Sequence, residues 1–371
     1  MYRVGLDNRM RITIILPGDG IAGGVRVVAT YAERLQQRGH QVSVVIPPSP
    51  PPAWREYLRG FLRGKLFRYS VPPSHFDNTT IKPLRLERFR PVTANDLPDA
   101  DVVIATWWET AEWVAKLPPA KGKKLYLVQH DERYLTTKPA ERVKATWQMP
   151  LHKIVIAQWL ADVISQETGC NDITLIPNSV DSVKFSAASR GKQAVPTVGL
   201  MYSLVPWKGC DISIKAVELA RQAIPNLRVV AFGADVVSAQ LPLPANSSYV
   251  QHPAQSDLKN FYAQCDAWLF GSRFEGFGLP ILEAMACRTP VIGTPTGAAP
   301  ELLAEGAGIL VKPEDPVDMA RAIEQICSMS DASWQIMSEL AHQRAINYTW
   351  EDATDLLEKT LYQISALSPV A

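Results

Sequence analysis

Residues 271–303 read GSRFEGFGLPILEAMACRTPVIGTPTGAAPELL. The run at 266–270 just before them has the length and apolar content of a buried strand. Gly276 and Gly278 then make a tight loop, and residues 279–287 read as a helix that opens directly from it. A strand, a glycine turn and a helix N-terminus in this order form an anion site, because backbone N–H groups and the positive end of the helix dipole face one point. Glu275 stands before the loop and Glu283 lies one turn into the helix. An acid at Glu283 reaches ribose hydroxyls while the loop holds a diphosphate. An ordinary strand–loop–helix with solvated acids does not explain why acids and turn residues converge on one crevice.

The same alternation extends in both directions. Upstream, a strand at 11–16 precedes a helix at 24–38 with Val28, Tyr31, Ala32 and Leu35 on one face. Gly39 stops it, and further strands follow at 41–46, 101–106, 124–128 and 153–157. A polar stretch of small residues, 186–196, suits a linker, and beyond it the pattern restarts. A strand at 197–201, a helix at 209–223, strands at 227–232 and 266–270, the helix at 279–287, a strand at 290–293 and a short strand near Ile309 make a second set. Helices at 331–348 and 350–366 close the chain. The expected class is α/β, with two Rossmann-like doubly wound domains. Their expected bounds are 1–182 and 190–348, with a terminal helix at 350–371 returning to the first. A chain of 371 residues is too long for one ordinary core.

Bulk composition narrows the function. With 47% hydrophobic and 20% charged residues and no apolar run of about 18 residues, a transmembrane helix is not expected. The first ten residues lack the apolar core of a signal peptide. Five scattered cysteines (Cys170, Cys210, Cys265, Cys287, Cys327) without a CxxC pair fit reduced thiols in a cytoplasmic protein rather than disulfides or a zinc site. Net charge is +1 but uneven: residues 1–180 carry +7 and residues 181–371 carry −6. Such polarity suits two halves that meet different partners, or simply uneven solvated faces.

Two further patterns are less specific. Residues 16–24, LPGDGIAGG, place Gly18, Gly20 and Gly23 in a G-x-G-x-x-G dinucleotide pattern after a strand. A nicotinamide enzyme would add an acid at the end of the second strand, and here that strand ends Val45-Ile46-Pro47-Pro48. Hydride transfer is therefore disfavoured. Asp99 and Asp101 have a spacing that could hold a metal ion with a diphosphate, but a polar turn before the strand at 102–104 explains them better.

Glu275 and Glu283 with GFGLP between them resemble the signature of retaining glycosyltransferase family four, whose fold is GT-B, two such domains facing across a cleft. Gly23-Gly24 resembles the family's diglycine, and His130 in VQHD its histidine after a strand. IPNSVD at 176–181 resembles its interdomain Pro-Asn-Gly-Val-Asp with Ser179 for Gly. VPWKG at 205–209 resembles its phosphate-binding Lys-Gly, and YTWE at 348–351 the start of its last helix. The resemblance implies a glycosyltransferase using a nucleotide sugar and no cofactor or metal. It implies Lys208, the Gly23-Gly24 turn and the Gly276-Phe277-Gly278-Leu279 loop at the diphosphate, His130 and Glu275 at donor-sugar hydroxyls, and Glu283 at the ribose. The family carries Arg five residues before that Lys, where this chain has Ser203. Arg26 or Arg273 is the expected replacement; alternatively the protein binds without catalysing. A GT-B epimerase or phosphorylase is the other alternative.

Residues 54–69, WREYLRGFLRGKLFRY, carry net +4 with interleaved aromatics. That composition suits peripheral contact with an anionic membrane, and equally a surface helix or an acceptor-binding loop. Nucleic acid is not expected as a partner, since no recognised binding fold accompanies the patch. The acceptor implied is a glycan or a lipid-linked glycan of cell-surface polysaccharide assembly.

Overall fold

The computed structural model describes residues 9–48, 73–135 and 139–366. The basic stretch at 54–69 lies outside them. The chain divides into two compact units: Met1–Ile156 with Leu160–Ile176 and Thr354–Ala371, and Ala157–Trp159 with Pro177–Ala353. Along the chain the passage from the first unit to the second falls at Ile176–Pro177. The terminal helix, Trp350–Ala366, is shared, its first four residues counting with the second unit.

The first unit is built on seven strands: β1 Arg11–Ile15, β2 Gln41–Ile46, β3 Leu84–Arg85, β4 Val102–Ala105, β5 Lys123–Val128, β6 His152–Val155 and β7 Ile173–Leu175. All pair in parallel in the order β3-β2-β1-β4-β5-β6-β7. Every residue of β4 is buried, as are four of the five in β1. That is the mark of strands covered on both faces. Helix α1, Gly23–Gln37, buries Val28, Tyr31, Ala32 and Leu35, the face its periodicity predicts.

The second unit repeats the plan with six strands: β8 Thr197–Tyr202, β9 Arg228–Gly233, β10 Ser247–Gln251, β11 Ala267–Phe270, β12 Val291–Gly293 and β13 Gly308–Leu310. Their order is β10-β9-β8-β11-β12-β13, again all parallel. In both sheets the chain runs outward from the middle, returns, and runs outward the other way. The order reverses between β1 and β4, and between β8 and β11. Such switch points leave a crevice at the carboxyl ends of the two central strands, where α/β sheets bind ligands.

Sequence patterning misses β3, β7 and β10. All three are at or near sheet edges and none has a buried residue, so no apolar run announces them. Among the described residues, no helix is long and apolar enough to cross a membrane.

Candidate active site

In the second unit the loops leaving β8 and β11 flank the switch point and are laced together. Lys208 Nζ donates to Glu275 Oε1 at 2.6 Å, and Ser272 Oγ donates to the same oxygen at 3.0 Å. The Arg273 amide donates to the Trp207 carbonyl at 2.8 Å. Gly209 lies between Lys208 and helix α5 (here Cys210–Ala220; helices α2 Trp108–Ala115, α3 Ala140–Trp147 and α4 Gln158–Thr168 precede it). Its φ of +58° is left-handed, and a Cβ there would sit 1.7 Å from the Gly271 carbonyl oxygen. Only glycine allows the two loops to approach this closely.

Gly278 caps the helix at Leu279–Ala286 with a φ of 96° and has no side-chain cap. In the first turn Pro280 has no N–H and the Ile281 amide donates to the Gly278 carbonyl at 2.9 Å, so what the helix presents to the loop is chiefly the positive end of its dipole. Phe277 is buried and its carbonyl accepts from the Ala298 amide at 2.8 Å, which pins the loop from behind. One turn into the helix, Glu283 is only 4% exposed, and its Oε2 accepts from the Tyr262 hydroxyl at 2.7 Å. The structure thus brings Lys208, Glu275, Ser272 and the glycine loop together, and sets Glu283 on the helix behind them.

Arg273, one of the two expected replacement cations, is fully engaged within the protein. Its five N–H bonds go to Asp211 (2.9 and 2.8 Å), Glu314 (2.5 and 3.0 Å) and the Pro206 carbonyl (2.6 Å). Asp211 and then Glu314 raise the guanidinium pKa, and hydrogen bonding from Arg273 holds Asp211 below the usual carboxylate range. A fork with its donors spent on two carboxylates and a carbonyl has no net positive charge or hydrogen left for a phosphate. Its work is to join the β8 loop, the first turn of α5 and the turn at Glu314. Ser203 offers no cation either: it stands 3.5 Å from Asp235 Oδ2, which also accepts the Leu204 amide at 2.8 Å.

In the first unit, Gly23 and Gly24 form the opening of α1, and Arg26 lies in its first turn. The Gln129 amide donates to the Gly24 carbonyl at 3.3 Å, so a side chain on Gly24 would crowd it. That contact brings the diglycine next to the segment carrying His130, whose Nδ1 lies 3.1 Å from the Asp131 carbonyl. A carbonyl only accepts, so that bond places the ring proton on Nδ1. The preceding glycine turn owes its shape to Asp19, which accepts from the Gly20 amide (2.8 Å), the Ser74 hydroxyl and Arg85. Asp99 and Asp101 are committed elsewhere, to Lys121 at 2.9 Å and Arg11 at 2.8 Å.

Glu132 was not legible as special. It is 0% exposed, and one oxygen accepts from the Tyr126 hydroxyl (2.7 Å) and the Trp108 amide (2.6 Å). Its other oxygen is buried without a hydrogen bond among the described residues. Burial pushes its pKa well above the ordinary value, against the pull of those two donors. The folded state therefore keeps a proton that the unfolded chain releases above pH about 4.5. Fold stability falls as pH rises from there toward the folded pKa. Glu132→Gln should accordingly raise the melting temperature at pH 7–8, with the gain shrinking toward pH 4.5. Melting curves across that range check it, and a gain independent of pH would contradict the buried proton.

Two family models match end to end: Glycosyltransferase Family 4 over residues 21–184, and Glycosyl transferases group 1 over residues 184–344. The chain belongs to glycosyltransferase family four, and its two Rossmann-like domains are those of the GT-B fold. It is 25% identical over 395 residues to a D-inositol 3-phosphate glycosyltransferase of Stackebrandtia nassauensis, covering 91% of this chain and 86% of the relative. It is 35% identical over 107 residues to the O-antigen chain mannosyltransferase B of Escherichia coli, 29% of this chain and 27% of that one. Among solved structures, sucrose-phosphate synthase from Thermosynechococcus elongatus superposes with a TM-score of 0.73 at 18% identity, covering 97% of this chain and all of that one. Anabaena HepE in complex with UDP-glucose gives 0.72 at 17% identity, covering 96% and 100%. The protein is a glycosyltransferase.

Proposed function

We propose that the chain transfers a glycosyl group from a nucleoside-diphosphate sugar to an acceptor hydroxyl with retention at the anomeric carbon, and needs no metal ion. The observation that carries this is the Lys208–Glu275 pair at the switch point of the second sheet, beside the glycine loop and helix N-terminus. Cleaving the bond between sugar and diphosphate leaves negative charge on the leaving phosphate. Fixed donors aimed at that charge lower the barrier. Lys208 has three ammonium hydrogens and gives one to Glu275 in the structure, so others remain for the phosphate. Glu275, released from part of that pairing, accepts sugar hydroxyls, and Glu283 takes the ribose. Attack then comes from the face the diphosphate leaves, with the acceptor proton passing to the departing phosphate.

The second unit is the donor side in this reading and the first unit the acceptor side. The UDP-glucose bound in HepE supports a nucleotide-sugar donor. Likeness to the O-antigen mannosyltransferase supports a glycan or lipid-linked acceptor in cell-surface polysaccharide assembly. A non-catalytic donor-binding role is the second reading, motivated by Ser203 beside Asp235 in place of a cation.

A melting-temperature screen against UDP-, GDP- and ADP-sugars tests the donor site, because a ligand bound at 100 times its Kd stabilises by about 2.7 kcal/mol. No shift with any of them would defeat the proposal. Slow release of nucleotide from the best binder separates catalysis from binding alone, and proton NMR of the product reads the anomeric configuration. Full activity is expected in EDTA. Activity that disappears there and returns with Mn²⁺ would overturn the metal-free mechanism.

A further inference from the structure

We infer that Tyr262 is a positioning residue for the donor's ribose: its hydroxyl holds the Glu283 carboxylate in the orientation that distinguishes a ribonucleotide from a deoxynucleotide. The inference rests on the reading of Glu283 as the ribose-binding acid. Tyr262 lies on the helix Leu258–Ala263 and Glu283 on Leu279–Ala286, 21 residues apart in sequence. Neither the glycine-loop signature nor its spacing marks the tyrosine.

The tyrosine ring has almost no freedom. It is 0% exposed, and its centroid lies 4.4 Å from Trp268 at 61°, 5.8 Å from Phe232 at 89° and 6.2 Å from Phe185 at 65°. The backbone behind it is held too, with the Tyr262 carbonyl accepting from Thr289 Oγ1 at 2.7 Å. A phenol locked by edge-to-face packing delivers its O–H to one point in space. That point is Glu283 Oε2 at 2.7 Å.

Glu283 needs such a partner. A carboxylate that is 4% exposed is unfavourable unless hydrogen bonds replace its lost water. With Oε2 anchored on a rigid donor, the carboxylate plane is set, and the geometry offered to a vicinal diol is set with it. A site built to accept hydrogen bonds from hydroxyls rejects an analogue lacking them far more strongly than an apolar pocket rejects a change of size. Removing the phenol hydroxyl takes the orientation away while leaving the acid in place.

The experiment measures dissociation constants of UDP and GDP, and of their 2′,3′-dideoxy counterparts, for wild type, Tyr262→Phe, Glu283→Gln and the double variant. Melting temperatures verify that each is folded. Wild type should prefer the ribonucleotide, and Tyr262→Phe should lower that preference about tenfold while binding of the dideoxy form barely changes. A merely structural loss would weaken both ligands alike. In the Glu283→Gln background, Tyr262→Phe should have no further effect on the preference. An undiminished preference in folded Tyr262→Phe, alongside a lost one in Glu283→Gln, would overturn the role of Tyr262 and leave the ribose reading intact. A preference that survives Glu283→Gln, or failure of wild type to bind UDP or GDP, would overturn the ribose reading itself and this inference with it. Equal weakening of both ligands by Tyr262→Phe also counts against the inference.

Discussion

Lys208→Ala should lower turnover by about 10² to 10³, the scale for losing one preorganised donor at developing charge. Arg273 has all five N–H bonds committed to Asp211, Glu314 and Pro206, and Ser203 carries no charge. In the proposed mechanism Lys208 is therefore the cation that the β8 and β11 loops offer to a phosphate. The loss should appear in both kcat and kcat/KM, because charge on the diphosphate grows between ground state and transition state. Removing the ammonium also leaves Glu275, whose side chain is only 11% exposed, with the Ser272 hydroxyl as its remaining donor among those described above. Lys208→Arg would keep the charge but not the compact shape, and should recover only part of the rate. Steady-state kinetics with the preferred donor checks this. Turnover near that of wild type in Lys208→Ala would remove the residue from the reaction.

Gly209→Ala should cost roughly 3 kcal/mol or more of stability and most of the activity. Two effects add. An L-residue in the left-handed region costs about 1–2 kcal/mol, and Gly209 has a φ of +58°. A Cβ would also lie 1.7 Å from the Gly271 carbonyl oxygen, which belongs to the backbone and cannot rotate aside. Forcing such a shift costs typically 1–3 kcal/mol. At about 2–4 °C per kcal/mol for a unit of this size, the melting temperature should drop by about 10 °C. The displaced β11 loop carries Glu275 and the glycine turn, so surviving protein should turn over slowly. Gly18→Ala is the control, since a Cβ there meets nothing within 4 Å, and it should leave the melting temperature unchanged. Equal stability in the two variants would show that the loops are not locked at Gly209.

The site was partly legible because part of it is local. Glu275, the glycine loop and Glu283 fall within nine residues, and a strand followed by a glycine turn and a helix places them without reference to the rest of the chain. The two parallel sheets were legible for a similar reason, since central strands are buried on both faces and appear as apolar runs. The edge strands β3, β7 and β10 have no buried residue and left no such trace. The engagement of Arg273 was not legible, because its partners Asp211 and Glu314 are 62 and 41 residues away. From sequence it is one more arginine in a promising loop.

Sequence alone therefore determined the class of fold, the two sets of strands and helices, the glycine turns and the acids beside them. Those follow from side-chain periodicity and backbone restrictions, which act over a few residues. Only the tertiary structure decided which polar groups are spent on each other: Lys208 on Glu275, Arg273 on Asp211 and Glu314, Ser203 beside Asp235, Tyr262 on Glu283, and buried Glu132 on Tyr126. Hydrogen bonds and ion pairs depend on separations of about 3 Å in space. That distance is set by how the strands order in the sheet, and residues far apart along the chain meet only once it has folded.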